Sequence, residues 1–171
     1  MGMIGSRKSW GPEYTEPGQS SPQNESLLDQ ALRQATAHSL WPLMLGLDYT
    51  TLELFHAVGP HHDLARFGAE VMRPSPRQVD LLILAGVVNR KMAPVIRRLY
   101  EAMAAPRFVI ACGAGAISGG TFADSYAIDE PVDKIVPVDV YIPGDPPRPE
   151  QVIDGIRRLT EAIKSGEVTR C

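Results

Sequence analysis

Apolar positions along this chain switch between continuous runs and a helical period, and each switch marks an element. Residues 79–86, Val-Asp-Leu-Leu-Ile-Leu-Ala-Gly, read as one nearly unbroken apolar run. That is the pattern of a strand buried on both faces rather than one half in water. Residues 108–113 repeat it, and residues 43–47 form a shorter run with a glycine at 46, where a buried strand enters a tight turn. Residues 135–142 predict a further strand, with Pro137 near its start, where a missing ladder donor is tolerated. Residues 69–72 give a weaker one. Between these runs the period becomes 3.6. A helix over 92–103 turns Val95, Ile96, Leu99 and Met103 inward, and a last helix opens at Pro149 with Val152, Ile153, Ile156, Leu159 and Ile163 on one face. Strands alternating with helices predict a three-layer α/β domain around a mainly parallel sheet.

The chain's beginning reads differently. Residues 1–23 are rich in Gly, Ser, Pro and Glu without periodicity, and predict a disordered tail. Asn24 then caps a helix over 25–39, with Leu28, Ala31, Leu32 and Ala35 on one side. That side packs on the domain, on a partner or on a membrane surface; the scarcity of cations favours a partner over lipid. The divisions are thus a tail at 1–23, a helix at 24–40, the α/β domain at 41–165 and a tail at 166–171. Inside the domain, Thr50-Thr51-Leu52-Glu53 fits a capping box, Thr50 accepting from an amide while Glu53 reaches back. Leu52, Phe55 and His56 carry that helix on until Gly59-Pro60 stops it.

Composition narrows the classes. The 171 residues fit one domain plus a tail, with 44% apolar and 22% charged residues as in soluble globular proteins. A net charge of −3 and no basic run argue against a nucleic-acid partner. No apolar stretch reaches the roughly 18 residues of a membrane span, and no apolar segment follows Arg7 and Lys8 as in a secretory signal. Cys112 and Cys171 cannot build a disulfide framework, which fits a cytoplasmic protein; Cys112 ends an apolar run and reads as a buried bystander.

Candidate chemistry gathers where parallel strands end. Ligands of open α/β sheets bind outside the carboxyl ends of the strands, and the loops at 46–50, 86–91, 113–121 and 143–149 begin there. The glycine-rich 113–120 segment offers amides to an anion, but it lacks a GxxxxGK[ST] pattern and a lysine. His61-His62-Asp63 reads as a solvated loop, since adjacent side chains rarely converge on one ion. Asp48, Glu53 and Asp145 form no evident acid–base pair.

Three of these loops carry a resemblance. Gly46-Leu47-Asp48-Tyr49-Thr50-Thr51-Leu52-Glu53, Gly113-Ala114-Gly115-Ala116-Ile117-Ser118-Gly119-Gly120 and Ile142-Pro143-Gly144-Asp145-Pro146-Pro147 closely resemble loops of the B-type (PSST) subunit of respiratory complex I. That family is related to the small subunit of nickel–iron hydrogenases. Leu40-Trp41-Pro42, the segments 65–71, 75–78 and 91–94, and Val136-Pro137-Val138-Asp139-Val140-Tyr141-Ile142 extend the likeness over about residues 24–163. The resemblance implies a flavodoxin-like α/β fold. In the family these loops carry the four cysteines of a tetranuclear iron–sulfur cluster; the matching positions here are Tyr49, Thr50, Gly115 and Asp145. Such clusters are held by thiolates, so no cofactor is expected in this chain. The resemblance further implies quinone-site or interface roles for Trp41, Glu53, Phe55, Arg66, Phe67, Arg73 and Arg77.

The leading expectation is therefore a complex I B-type homologue without its cluster, serving as a structural or accessory subunit of an NADH:quinone oxidoreductase-like assembly. One alternative keeps it as part of a working quinone site. Another makes it a stand-alone α/β domain binding a small ligand or metal through Asp48, Asp145 and Cys112. The implied partners are other complex I-like subunits, chiefly the large catalytic-arm subunit and a membrane-arm subunit, with quinone as a further candidate ligand. The implied location is the cytoplasmic face of the plasma membrane, peripheral through those partners.

Overall fold

A computed structural model describes residues 27–69, 72–128 and 131–168 of the chain. Its elements run α1 (Leu27–Ala37), β1 (Pro42–Gly46), α2 (Thr51–Val58), β2 (Leu81–Ala85), α3 (Ala93–Ala102), β3 (Phe108–Cys112), α4 (Ala114–Ser118), β4 (Val140–Ile142) and α5 (Pro149–Ser165). The strands form one sheet in the order β1-β2-β3-β4. Every neighbouring pair is parallel, with Leu81 opposite Pro42 and Phe108, and Ile110 opposite Val140.

The two inner strands are buried along their whole length, which explains their unbroken apolar runs. Their side chains alternate between two cores. Leu81, Ile83, Ala85, Phe108, Ile110 and Cys112 face a layer that contains Ala37 of α1, Leu54 and Ala57 of α2, and Val152, Ile156 and Leu159 of α5. Leu82, Leu84, Val109 and Ala111 face the opposite layer, where Ile96 and Tyr100 of α3 and Ala116 of α4 pack. The result is a three-layer α/β fold, as the alternation of patterns implied, and it is flavodoxin-like, as the resemblance implied.

Several expectations need correction. The 43–47 run is an edge strand and only partly buried, because no strand covers its outer side among the described residues. The strand expected over 135–142 shrinks to Val140–Ile142, and residues 135–139 are turn and irregular backbone after a 3-10 turn at Val132–Lys134. Of the residues expected to face inward from α3, Ile96 and Met103 are buried, Leu99 is half-buried and Val95 is exposed, and Tyr100 is buried one turn after Ile96. The glycine-rich 113–120 segment is not all loop, for α4 occupies Ala114–Ser118. Leu28 and Leu32 of α1 are 68% and 56% exposed, so that stripe does not pack on the domain. The tail at 1–23, the Asn24 cap, the centre of the weak strand at 69–72 and Cys171 lie outside the described residues.

Candidate functional site

Glycine and aspartate decide the geometry at the carboxyl edge of the sheet. β1 leaves through Gly46, and the chain turns at Asp48, whose carboxylate accepts from two backbone amides: Thr50 N at 2.8 Å through Oδ1 and Val87 N at 3.0 Å through Oδ2. The first bond closes a turn at Asp48 that leads into α2, whose N-cap position is Thr50. Thr50 already has helical backbone angles and its side chain makes no capping bond, so the expected capping box at Thr50 does not form. Glu53 turns instead to His56, 3.3 Å away. The second bond ties the loop after β1 to the loop after β2. There Gly86 takes a positive φ of 97° against the Asp48 carboxylate, a contact that any Cβ would block.

The remaining loops are stitched to these. Tyr49 donates its hydroxyl to Asp145 Oδ1. Ala114 N donates to Gly144 O at 2.7 Å, and Gly113 N to Ile142 O at 2.9 Å. Thr50 is buried, with its methyl against the backbone of Gly113. Gly115 is buried in α4 so close to the 86–87 turn that a Cβ there would stand 2.8 Å from Val87 Cγ2, 2.9 Å from Val87 N and 3.1 Å from the Gly86 carbonyl carbon. Tyr49, Thr50, Gly115 and Asp145 thus come together at one edge, as the loop topology implied.

This edge shifts the acidity of its protonated groups. The bond to Asp145 raises the Tyr49 phenol first, followed by desolvation and the charges of Asp145 and Asp48. Burial, assisted by the Asp48 charge, pushes the Cys112 thiol up to about 12, so it stays a thiol at neutral pH. Thr50 Oγ1 and Thr51 Oγ1 are buried and find no hydrogen-bond partner among the described residues.

The other singled-out residues lie elsewhere. Trp41 precedes β1, at the opposite, amino edge of the sheet; its amide donates to Asp80 Oδ1 at 2.6 Å and its indole to Ser39 Oγ at 3.3 Å. The Arg73 guanidinium covers the indole at 4.8 Å. An open cavity of about 420 Å³ beside them is lined by Ser39, Trp41, Arg77, Asp80 and Pro106. Burial raises the Asp80 carboxyl against the pull of the Trp41 amide. Arg66 and Phe67 belong to a 3-10 turn, Leu64–Phe67, where Arg66 pairs with Asp63 at 2.9 Å. Phe55 stands 59% exposed on α2. Sequence reasoning gave Asp48 no structural role. Its signal was available, since an aspartate favours a turn by accepting from the amide two residues on.

Residues 50–159 match the family described as NADH ubiquinone oxidoreductase, 20 Kd subunit. The B-type NADH-quinone oxidoreductase subunit of Flavobacterium johnsoniae is 49% identical over 143 residues, 84% of this chain and 78% of the relative. The second of the B-type NADH-quinone oxidoreductase subunits of Roseiflexus sp. (strain RS-1) is 53% identical over 137 residues, 80% of this chain and 81% of the relative. Among solved structures, a chain of the membrane-bound sulfane sulfur reductase, an archaeal respiratory membrane complex, aligns with a TM-score of 0.76 at 39% identity. That alignment covers 81% of this chain and 77% of the other. A chain of an NAD+-reducing [NiFe]-hydrogenase aligns with a TM-score of 0.55 at 20% identity over 72% of this chain and 92% of its own length, which speaks to the fold alone.

Proposed function

The chain belongs to the NADH ubiquinone oxidoreductase 20 Kd subunit family, and from that membership we propose that it is a B-type subunit that has lost its iron–sulfur cluster. It serves as a structural or accessory piece of an NADH:quinone oxidoreductase-like assembly. The observation that carries this is the donor set at the carboxyl edge. The positions that the resemblance equates with cluster ligands, Tyr49, Thr50, Asp145 and Gly115, hold a phenol, a hydroxyl, a carboxylate and no side chain, and the phenol and carboxylate are bonded to each other. Iron–sulfur clusters take thiolates, with imidazole as the occasional substitute, so these residues do not fit the group. The remaining described thiol, Cys112, is buried at a strand end and strongly protonated.

Docking then replaces electron transfer as the task. Exposed Leu28 and Leu32 on α1, Leu52 and Phe55 on α2, and the cationic segment carrying Arg66 and Arg77 supply surface for larger partners. The partners proposed are the large catalytic-arm subunit and a membrane-arm subunit. Among the described residues no helix is long and apolar enough to cross a membrane, and attachment to the cytoplasmic membrane face is proposed to run through those partners. The relatives support this through their names, which are those of subunits of quinone oxidoreductases. Affinity isolation of the full chain from its native membranes tests the proposal. Co-isolation of such subunits in an assembly without quinone reductase activity is expected. An active assembly would favour a retained quinone-site role, and a lone soluble chain would contradict the proposal.

A further inference from the structure

The carboxyl edge of the sheet is closed by the chain's own groups, and we infer that Asp48 is the clamp that keeps it closed. The inference rests on reading Tyr49, Thr50, Gly115 and Asp145 as former ligand positions, and goes beyond it. Losing the ligands removed the donors; the clamp removed the space.

The geometry argues this in steps. A cysteine at position 115 needs a Cβ pointing away from its helix backbone. At Gly115 that direction is filled by Val87 Cγ2 at 2.8 Å and, more seriously, by Val87 N at 2.9 Å. Side-chain ends can swing aside, but a backbone amide moves only if its turn moves. That amide is bonded to Asp48 Oδ2 at 3.0 Å, and the preceding Gly86 lies directly against the same carboxylate. The other oxygen of Asp48 is fixed by Thr50 N, at the start of α2. The 86–87 turn is therefore held against α4 by a residue anchored in a different loop. A charge-assisted acceptor with both oxygens on backbone donors is a strong device of this kind. The Tyr49–Asp145 bond draws the third loop in from the other side. Restoring cysteines alone then leaves the 86–87 turn where the sulfur ligand of position 115 would begin.

Two experiments test this. In the first, the full chain carrying Tyr49→Cys, Thr50→Cys, Gly115→Cys and Asp145→Cys is reconstituted anaerobically with ferrous iron and sulfide, beside the same variant with Asp48→Ala and Val87→Gly added. The four-cysteine variant is expected to hold less than about one iron per chain and the six-substitution variant about four, with a reduced-state paramagnetic signal. Uptake of about four irons by the four-cysteine variant, or no gain from the added pair, would overturn the inference. Neither result bears on whether the unmodified chain holds iron, which is measured separately. In the second, which needs no cluster, Gly115→Ala is made in the unmodified chain and in Asp48→Ala. The added methyl is expected to lower Tm by roughly 5 °C in the first background and by less than half of that in the second. An equal drop in both would mean that Asp48 does not hold the turn.

Discussion

The Tyr49 hydroxyl donates to Asp145 Oδ1, joining residues 96 positions apart across the carboxyl edge of the sheet. The bond favours the protonated phenol, which is why the Tyr49 pKa is raised. A raised folded-state value means that this contribution to stability is complete below the ordinary phenol range, and is lost as pH rises through the folded value. Spectrophotometric titration, with Tyr49→Phe to assign the band, should find Tyr49 ionising later in the unmodified chain than in Asp145→Ala. Identical titration in both would contradict the bond.

Thr50 Oγ1 is buried without a partner among the described residues, and an orphaned buried hydroxyl costs about 1–3 kcal/mol. Thr50→Val keeps the branched shape and removes the orphan. We expect its Tm to equal or exceed that of the unmodified chain by a few degrees. A clear fall would show that the hydroxyl is satisfied in solution.

Cys112 offers a test of burial. Desolvation, then the Asp48 charge, pushes its thiol up to about 12. The unfolded chain releases this proton near pH ~8.5. The group's contribution is therefore whole below that pH and declines by up to about 1.4 kcal/mol per pH unit toward the folded value. In a Cys171→Ser background, iodoacetamide at pH ~8 should leave the folded chain unlabelled and label it on unfolding. Rapid labelling of the folded chain would refute a buried, protonated thiol.

Arg66, Arg73 and Arg77 should respond differently to substitution. Arg73 lies 4.8 Å over the Trp41 ring, with its Nε buried, whereas Arg66 pairs at 2.9 Å with a neighbouring Asp63 on the surface and Arg77 is exposed. Arg73→Ala is expected to lower Tm by several degrees through lost packing. Arg77→Glu should leave Tm nearly unchanged while weakening co-isolation with the larger partner. Equal loss of stability and assembly for Arg77→Glu would make that segment structural.

Much of the fold was legible because burial on both faces writes itself as an unbroken apolar run. Leu81–Ala85 and Phe108–Cys112 could hardly be read otherwise, and the stripe of α5 reappears as Val152, Ile156, Leu159 and Ile163 in the core. Edge positions were less legible. Pro42–Gly46 is as apolar as an inner strand yet lies at the rim and is only partly buried, and apolarity alone does not tell the two positions apart. Order along the chain located Tyr49, Thr50, Gly115 and Asp145 at one edge, because parallel strands deliver their following loops to the same side. It did not place Trp41 at the other edge, a consequence of lying just ahead of a strand rather than just after one. Nor did it reveal the turn that Asp48 makes ahead of α2, since a capping box at Thr50 fitted the same residues and only the helical backbone angles of Thr50 rule that box out.

The iron content of the protein tests the central claim most directly. The full chain should be isolated anaerobically from its native cells, and iron, acid-labile sulfide and the paramagnetic resonance of the reduced protein measured on one sample. The expected result is a colourless protein without stoichiometric iron or sulfide and without a reduced-cluster signal, because on the proposed reading a phenol, a hydroxyl, a glycine and a carboxylate occupy the former ligand positions, and a cluster takes thiolates. About four irons per chain with matching sulfide would contradict it, and with it the proposed loss of the cluster.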